Sequence, residues 1–118
     1  MADISFFVPE QTTQKLTFTL KDENGTPIPG VNLNSCTLTL YEQGTLAIVN
    51  NRDHVDIKAN VDANGVLTQT FVPLDTALLA VTATGLETHV ALFIWTYNAS
   101  TSRGQYEVAL VIRDSQKI

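Results

Sequence analysis

Thr88-His89-Val90-Ala91-Leu92-Phe93-Ile94-Trp95-Thr96-Tyr97 is the stretch on which the fold turns. In an extended chain successive side chains point to opposite sides, so His89, Ala91, Phe93, Trp95 and Tyr97 share one face. Val90, Leu92, Ile94 and Thr96 share the other. Both faces are apolar, which predicts a strand at the centre of its sheet. Downstream, Tyr106, Val108, Leu110 and Ile112 alternate with Gln105, Glu107, Ala109, Val111 and Arg113. Between the two runs, Ser100-Thr101-Ser102-Arg103-Gly104 has the length of a hairpin loop, so residues 88–97 and 105–113 are predicted to be antiparallel neighbours. Upstream, Leu16, Phe18 and Leu20 alternate with Lys15, Thr17, Thr19 and Lys21, and Cys36, Leu38 and Leu40 with Thr37, Thr39 and Tyr41. The alternation predicts burial of Leu16, Phe18, Leu20, Leu38, Leu40, Phe93, Leu110 and Ile112.

Turn chemistry separates these runs. Asp22-Glu23-Asn24-Gly25 and Asp62-Ala63-Asn64-Gly65 both end in Asn-Gly, which accepts positive φ and reverses the chain. Thr26-Pro27-Ile28-Pro29-Gly30 cannot donate ladder hydrogen bonds at its prolines and reads as an extended connector or an edge. Gly44 to Lys58 suggests two short strands around a polar loop. Pro73 to Ala80 is the one helix candidate, with Asp75 as its N-cap. Seven or eight strands, turns about every ten residues and sixteen threonines predict an all-β fold, an antiparallel β-sandwich. At most one short helical turn is expected, near residues 75–80.

The chain has 118 residues, 44% of them apolar, enough for one hydrophobic core in one domain. The expected division is an N-terminal arm or edge strand over 1–14 and a β-sandwich domain over 15–118. Twelve acidic against seven basic side chains leave a net charge of −5, with neither half basic. Binding to a nucleic-acid backbone, which needs clustered Lys and Arg, is not expected. No run approaches the roughly 20 apolar residues of a membrane-spanning helix, so no membrane partner is expected either. A single cysteine excludes an intramolecular disulfide, and the first residues have no basic region before a long apolar run. Synthesis and folding in a reducing cytoplasm are the expectation.

Catalytic and metal signatures are sparse. There is no Gly-x-Ser-x-Gly elbow and no glycine-rich phosphate loop, and Cys36 sits among leucines at a core position of its strand. His54 between Asp53 and Asp56 is the only mixed cluster of metal-ligand types, and a polar loop accounts for it. Asp62 to Gly65 lacks the alternating oxygens and closing Glu of a calcium loop. No catalytic residue, metal or cofactor is assigned, and the chain is expected not to be an enzyme. Phe93, Trp95 and Tyr97 form an aromatic row; as a carbohydrate platform it would need Trp95 and Tyr97 exposed, whereas core packing needs them buried. Near the start, Ile4-Ser5-Phe6-Phe7-Val8-Pro9 sets two phenylalanines on opposite sides of one strand. One of them is available to a neighbour, so Ile4, Phe6, Phe7 and Val8 are the candidate interface residues.

The order of these motifs is similar to that of the immunoglobulin-like β-sandwich modules of tailed-phage virions. The residues that carry the resemblance are an alternating strand, Asp22-Glu23-Asn24-Gly25-Thr26-Pro27-Ile28-Pro29-Gly30, the Cys36 to Tyr41 strand, Val61-Asp62-Ala63-Asn64-Gly65-Val66 leading to Phe71-Val72-Pro73, and the late hairpin through Trp95. Such modules serve as capsid decoration or cement proteins, at necks, and in baseplates and fibres. The resemblance implies an immunoglobulin-like fold and a non-enzymatic structural protein of a virion, made in the host bacterial cytoplasm. Its simplest form is a capsid decoration protein, expected to be a homo-oligomer whose partners are other virion subunits such as a major capsid protein. A neck or tail-baseplate adaptor is the alternative within that class, and a carbohydrate-binding module the alternative outside it.

Overall fold

Strands form wherever the two-residue alternation runs between turn residues. The computed structural model describes residues 4–78 and 86–113. Seven strands follow in order: β1 (Ile4–Pro9), β2 (Gln14–Thr19), β3 (Leu33–Glu42), β4 (Val55–Asp56), β5 (Val66–Phe71), β6 (Leu86–Tyr97) and β7 (Ser102–Arg113). They make a five-stranded sheet, β1-β7-β6-β3-β4, and a two-stranded sheet, β2-β5. In immunoglobulin terms β3, β6 and β7 stand where strands C, F and G do, and β2 and β5 where B and E do. The architecture is an immunoglobulin-like sandwich with one wide and one narrow layer. Strand β6 lies at the centre of the wide layer, between β3 and β7.

One pairing departs from the antiparallel expectation. Strand β1 runs parallel to β7, with Ile4 opposite Val108 and Pro9 opposite Arg113. No hairpin joins them, because the chain leaves β1 for the other sheet, so no tight turn imposes an antiparallel direction. The late hairpin also differs in its loop. Strands β6 and β7 pair from Leu86↔Arg113 to Tyr97↔Ser102, and the connection is Asn98–Thr101, with positive φ at Asn98, Ala99 and Ser100. The Asn34 carboxamide oxygen accepts the Ser100 N–H at 2.7 Å and steadies the loop. Gly104, which reads in the sequence as a loop residue, belongs to β7 opposite Trp95. A Cβ there would lie 2.3 Å from the indole ring. The glycine is needed for clearance and not for turning.

Both Asn-Gly turns reverse the chain by the same device. Asp22 Oδ1 accepts the N–H groups of Asn24 and Thr26, and Asp62 Oδ1 those of Asn64 and Val66, with Gly25 and Gly65 both at φ 79°. Residues 62–65 are thus the chain-reversing turn that the sequence predicts, with Asp62 Oδ1 occupied by backbone N–H groups. Among the described residues, helical structure is limited to 3-10 turns at Gly30–Asn32, Lys58–Asn60 and Pro73–Asp75. Asp75 closes the last of these instead of capping a following helix, and residues 79–85 lie outside the described set.

The core lies between the layers. Leu20, Leu67 and Phe71 from the narrow side meet Leu38, Leu40, Phe93, Leu110 and Ile112 from the wide one, all fully buried. Leu16 and Phe18 are half-buried, since a layer of two strands leaves its flanks open. Phe18 crosses the gap edge-on to Phe93, with centroids 5.0 Å apart, and lies 4.6 Å from Tyr106. Aromatic pairs of this kind add about 0.5–1.5 kcal/mol beyond the area they bury. Removing the ring in Phe93→Ala should therefore cost about 3–5 kcal/mol in urea unfolding.

Cys36 is fully enclosed, as its place among leucines predicts. Burial, and secondarily the Asp56 carboxylate, push its thiol up to about 11 from an ordinary 9.0. A raised value favours the protonated thiol in the folded state, so its contribution to stability is intact below pH 9 and declines as the pH rises through 11. Native protein should resist thiol alkylation at neutral pH and react only on unfolding, and Cys36→Ala should lack this component of the alkaline stability loss.

Candidate interaction surface

The outer face of the wide sheet takes the second apolar row of β6. Thr88, Val90, Leu92, Ile94 and Thr96 point away from the core, while Glu87, His89, Ala91, Phe93, Trp95 and Tyr97 point into it. Beside this row β7 places Ala109 and Val111, opposite Val90 and Thr88, and β3 places Thr39 and Tyr41, opposite Leu92 and Val90. At the far flank Ile48 bridges to Tyr41, extending the apolar surface by one more strand position. Leu46 and Ile48 are 68% and 41% exposed. Together with Thr39, Tyr41, Asp53 and His54 they line an open hollow of about 380 Å³. Burial, then the Glu107 charge, raise the Tyr41 hydroxyl above its ordinary range, which puts the ring and that carboxylate on one surface.

The four N-terminal interface candidates divide. Phe7 is 64% exposed beside the Arg113 guanidinium, 5.9 Å from the ring centroid, and Ile4 is 44% exposed. Val8 is fully buried and belongs to the chain's own core, so it offers nothing to a partner. Its side chain faces inward because β1 alternates like any strand on a two-layered core. The Phe6 backbone stands opposite Leu110, and its side chain lies outside the described set. Strand β1 is thus part of the sandwich, at its edge, and removing residues 2–8 would open the core at Val8.

The aromatic row is internal. Trp95 and Tyr97 are 6% and 7% exposed, which withdraws the platform a carbohydrate-binding reading needs. The Tyr97 hydroxyl donates to Glu23 Oε1 at 3.2 Å, and among the described residues Trp95 Nε1 is a buried donor with no acceptor. His54 Nδ1 meets Asp53 Oδ1 at 2.7 Å on the surface, whereas Asp56 Oδ1 accepts the Lys58 N–H. No group of three metal-ligating side chains occurs among the described residues. None of their helices is long and apolar enough to cross a membrane.

One polar centre escapes a reading from sequence. Asp75, fully buried, receives Arg52 Nε at 2.6 Å, Arg52 Nη2 at 2.9 Å, Asn50 Nδ2 at 2.9 Å and the Val72 N–H at 2.8 Å. Its carbonyl faces His89 Nδ1 at 2.8 Å, so that nitrogen is the donor, and His89 Nε2 is hydrogen-bonded to Glu87 Oε2 at 2.5 Å. Next along the chain, Thr76 Oγ1 donates to the Thr12 carbonyl and accepts the Thr12 N–H. The cluster ties the residue 72–76 turn to β6, to the 50–52 loop and to the β1–β2 link. Its polar atoms are spent on one another, as those of a structural lock are. Asp75→Ala would leave the Arg52 guanidinium, 19% exposed, without its partner. A loss of about 3–5 kcal/mol, measured by denaturant unfolding, is expected.

No known protein-family model matches this chain, and no curated protein matches it.

Proposed function

We propose that this chain is a non-enzymatic structural protein of a phage virion, most simply a capsid decoration protein, that works through contact with other protein subunits. The observation that carries the contact reading is the outer face of the five-stranded sheet. Its apolar side chains cluster where Tyr41, Leu92, Ile94 and Val111 are half-buried around an already buried Val90 and Ala109, with Phe7, Leu46 and Ile48 exposed on the flanks. Exposed apolar side chains clustered in this way mark interaction sites in folded proteins. The placement in a virion comes from the likeness of the motif order to phage sandwich modules. An acidic chain, at −5, suits the outside of a DNA-filled shell because it is not drawn to nucleic acid.

The test is to mix the purified chain with candidate phage shells and with complete virions, and to measure bound copies and their density by electron microscopy. Copies on the order of hundreds per particle are the expected result for a decoration protein, whereas about six or twelve would place it in a neck or baseplate ring. Failure to bind any shell, together with absence from the particles of a phage that encodes it, overturns the reading.

A further inference from the structure

The outer face of the wide sheet carries a projecting apolar side chain on one flank and an apolar hollow on the other. Phe7 stands two strands from β6, level with Thr88, because Phe7 pairs with Val111 and Val111 with Thr88. On the opposite flank the 46–48 segment also stands two strands from β6. There Ile48 bridges to Tyr41, Tyr41 pairs with Val90, and the Gln43 N–H donates to the Thr88 carbonyl at 2.9 Å. A two-fold axis lying in the face along β6 exchanges the flanks and brings Phe7 of one copy onto Leu46 and Ile48 of another, twice over.

We propose that this face is covered by a second copy of the chain, in a two-fold dimer in which Phe7 of each protomer enters the hollow lined by Tyr41, Leu46 and Ile48 on the other. The inference rests on the subunit-contact reading above and names the first partner. The hollow, about 380 Å³, has room for a phenyl ring, since an apolar cavity of about 150 Å³ already accepts benzene. At about 4.8 Å by 3.3 Å per residue, about nine residues each of β3, β6 and β7, the six of β1 and the 46–48 segment span roughly 600 Å² per protomer, or roughly 1,200 Å² for the pair, which reaches the size of a specific interface. Leu46 is held at φ 63° while 68% exposed. Its turn is clamped by the Glu42 carboxylate, which accepts the Gly44 and Thr45 N–H groups at 2.7 and 2.9 Å. A bulky residue kept in the left-handed region at the surface is strain retained for a contact.

Sedimentation of the full chain from low micromolar to sub-millimolar concentration should show a monomer–dimer equilibrium. Phe7→Asp and Leu46→Asp should each weaken it by about 100-fold or more, whereas Leu74→Asp, at an exposed site away from the face, should leave it unchanged. All three side chains are at least 64% exposed, so the variants should keep native circular dichroism. A chain carrying both Phe7→Cys and Leu46→Cys should give a covalent dimer with a thiol-reactive cross-linker of about 10 Å span, the distance between facing sheets. Within one protomer these positions are four strand spacings apart, about 19 Å, beyond that reach. A wild-type chain that stays monomeric throughout, or a folded Phe7→Asp that dimerises normally, overturns the proposal. A monomer that still decorates particles would sink the dimer and leave the virion reading standing; a dimer that binds none would do the reverse.

Discussion

A central strand with two apolar faces needs a cover on each, and this requirement at β6 organises the molecule. The inward row, Ala91, Phe93, Trp95 and Tyr97, is covered by β2 and β5, a pair too small to persist alone and stable only against that row. The wide sheet supplies the surface on which the narrow one forms, and Phe18 is the bridge, touching Phe93 and Tyr106 at once. In the outward row Val90 is buried and Leu92 and Ile94 are half-buried, with no further sheet over them among the described residues. These side chains, with Phe7, Leu46 and Ile48 exposed at the flanks, are the physical reason to look for a contact there.

The inward row changes character at its start, and that change locks the fold. Ala91 gives way to His89 and Glu87, which remain buried, so the end of the core must be satisfied by hydrogen bonds. Asp75 meets this need by accepting side chains from one loop through its carboxylate and the His89 ring through its carbonyl. The sandwich is thus closed at that end by directional bonds and elsewhere by non-directional packing. Directional bonds fix which loop sits where, while packing supplies most of the free energy.

Much of this was legible in the sequence, for reasons that particular residues make plain. Alternation located β2, β3, β6 and β7, because burial on one side leaves a period of two, and the Asp-x-Asn-Gly turns announced themselves by their side chains. The pairing of Ile4 with Val108 was not legible, since no turn links the strands and nothing local encodes a parallel register. The hairpin loop was misplaced toward Gly104 because a glycine that clears an indole looks, in sequence, like one that turns the chain. At the candidate surface, Phe7 stood out as one of two adjacent aromatics. Val8 did not declare itself as core, and the hollow at Leu46 and Ile48 depends on a left-handed turn at an apolar residue that no propensity favours. Asp75 and Arg52 are separated by 23 residues, so Asp75 read as a helix N-cap and Arg52 as part of a polar loop.

The parallel pairing of the first and last strands bears on how the protein carries load. Strands β1 and β7 run side by side in the same direction, so tension applied through Ile4 at one end and Arg113 at the other slides one past the other along their shared axis. In that geometry the bonds between the strands are strained together instead of parting one after another from a free end. A chain held at both ends would meet tension in a direction that all of these bonds resist together.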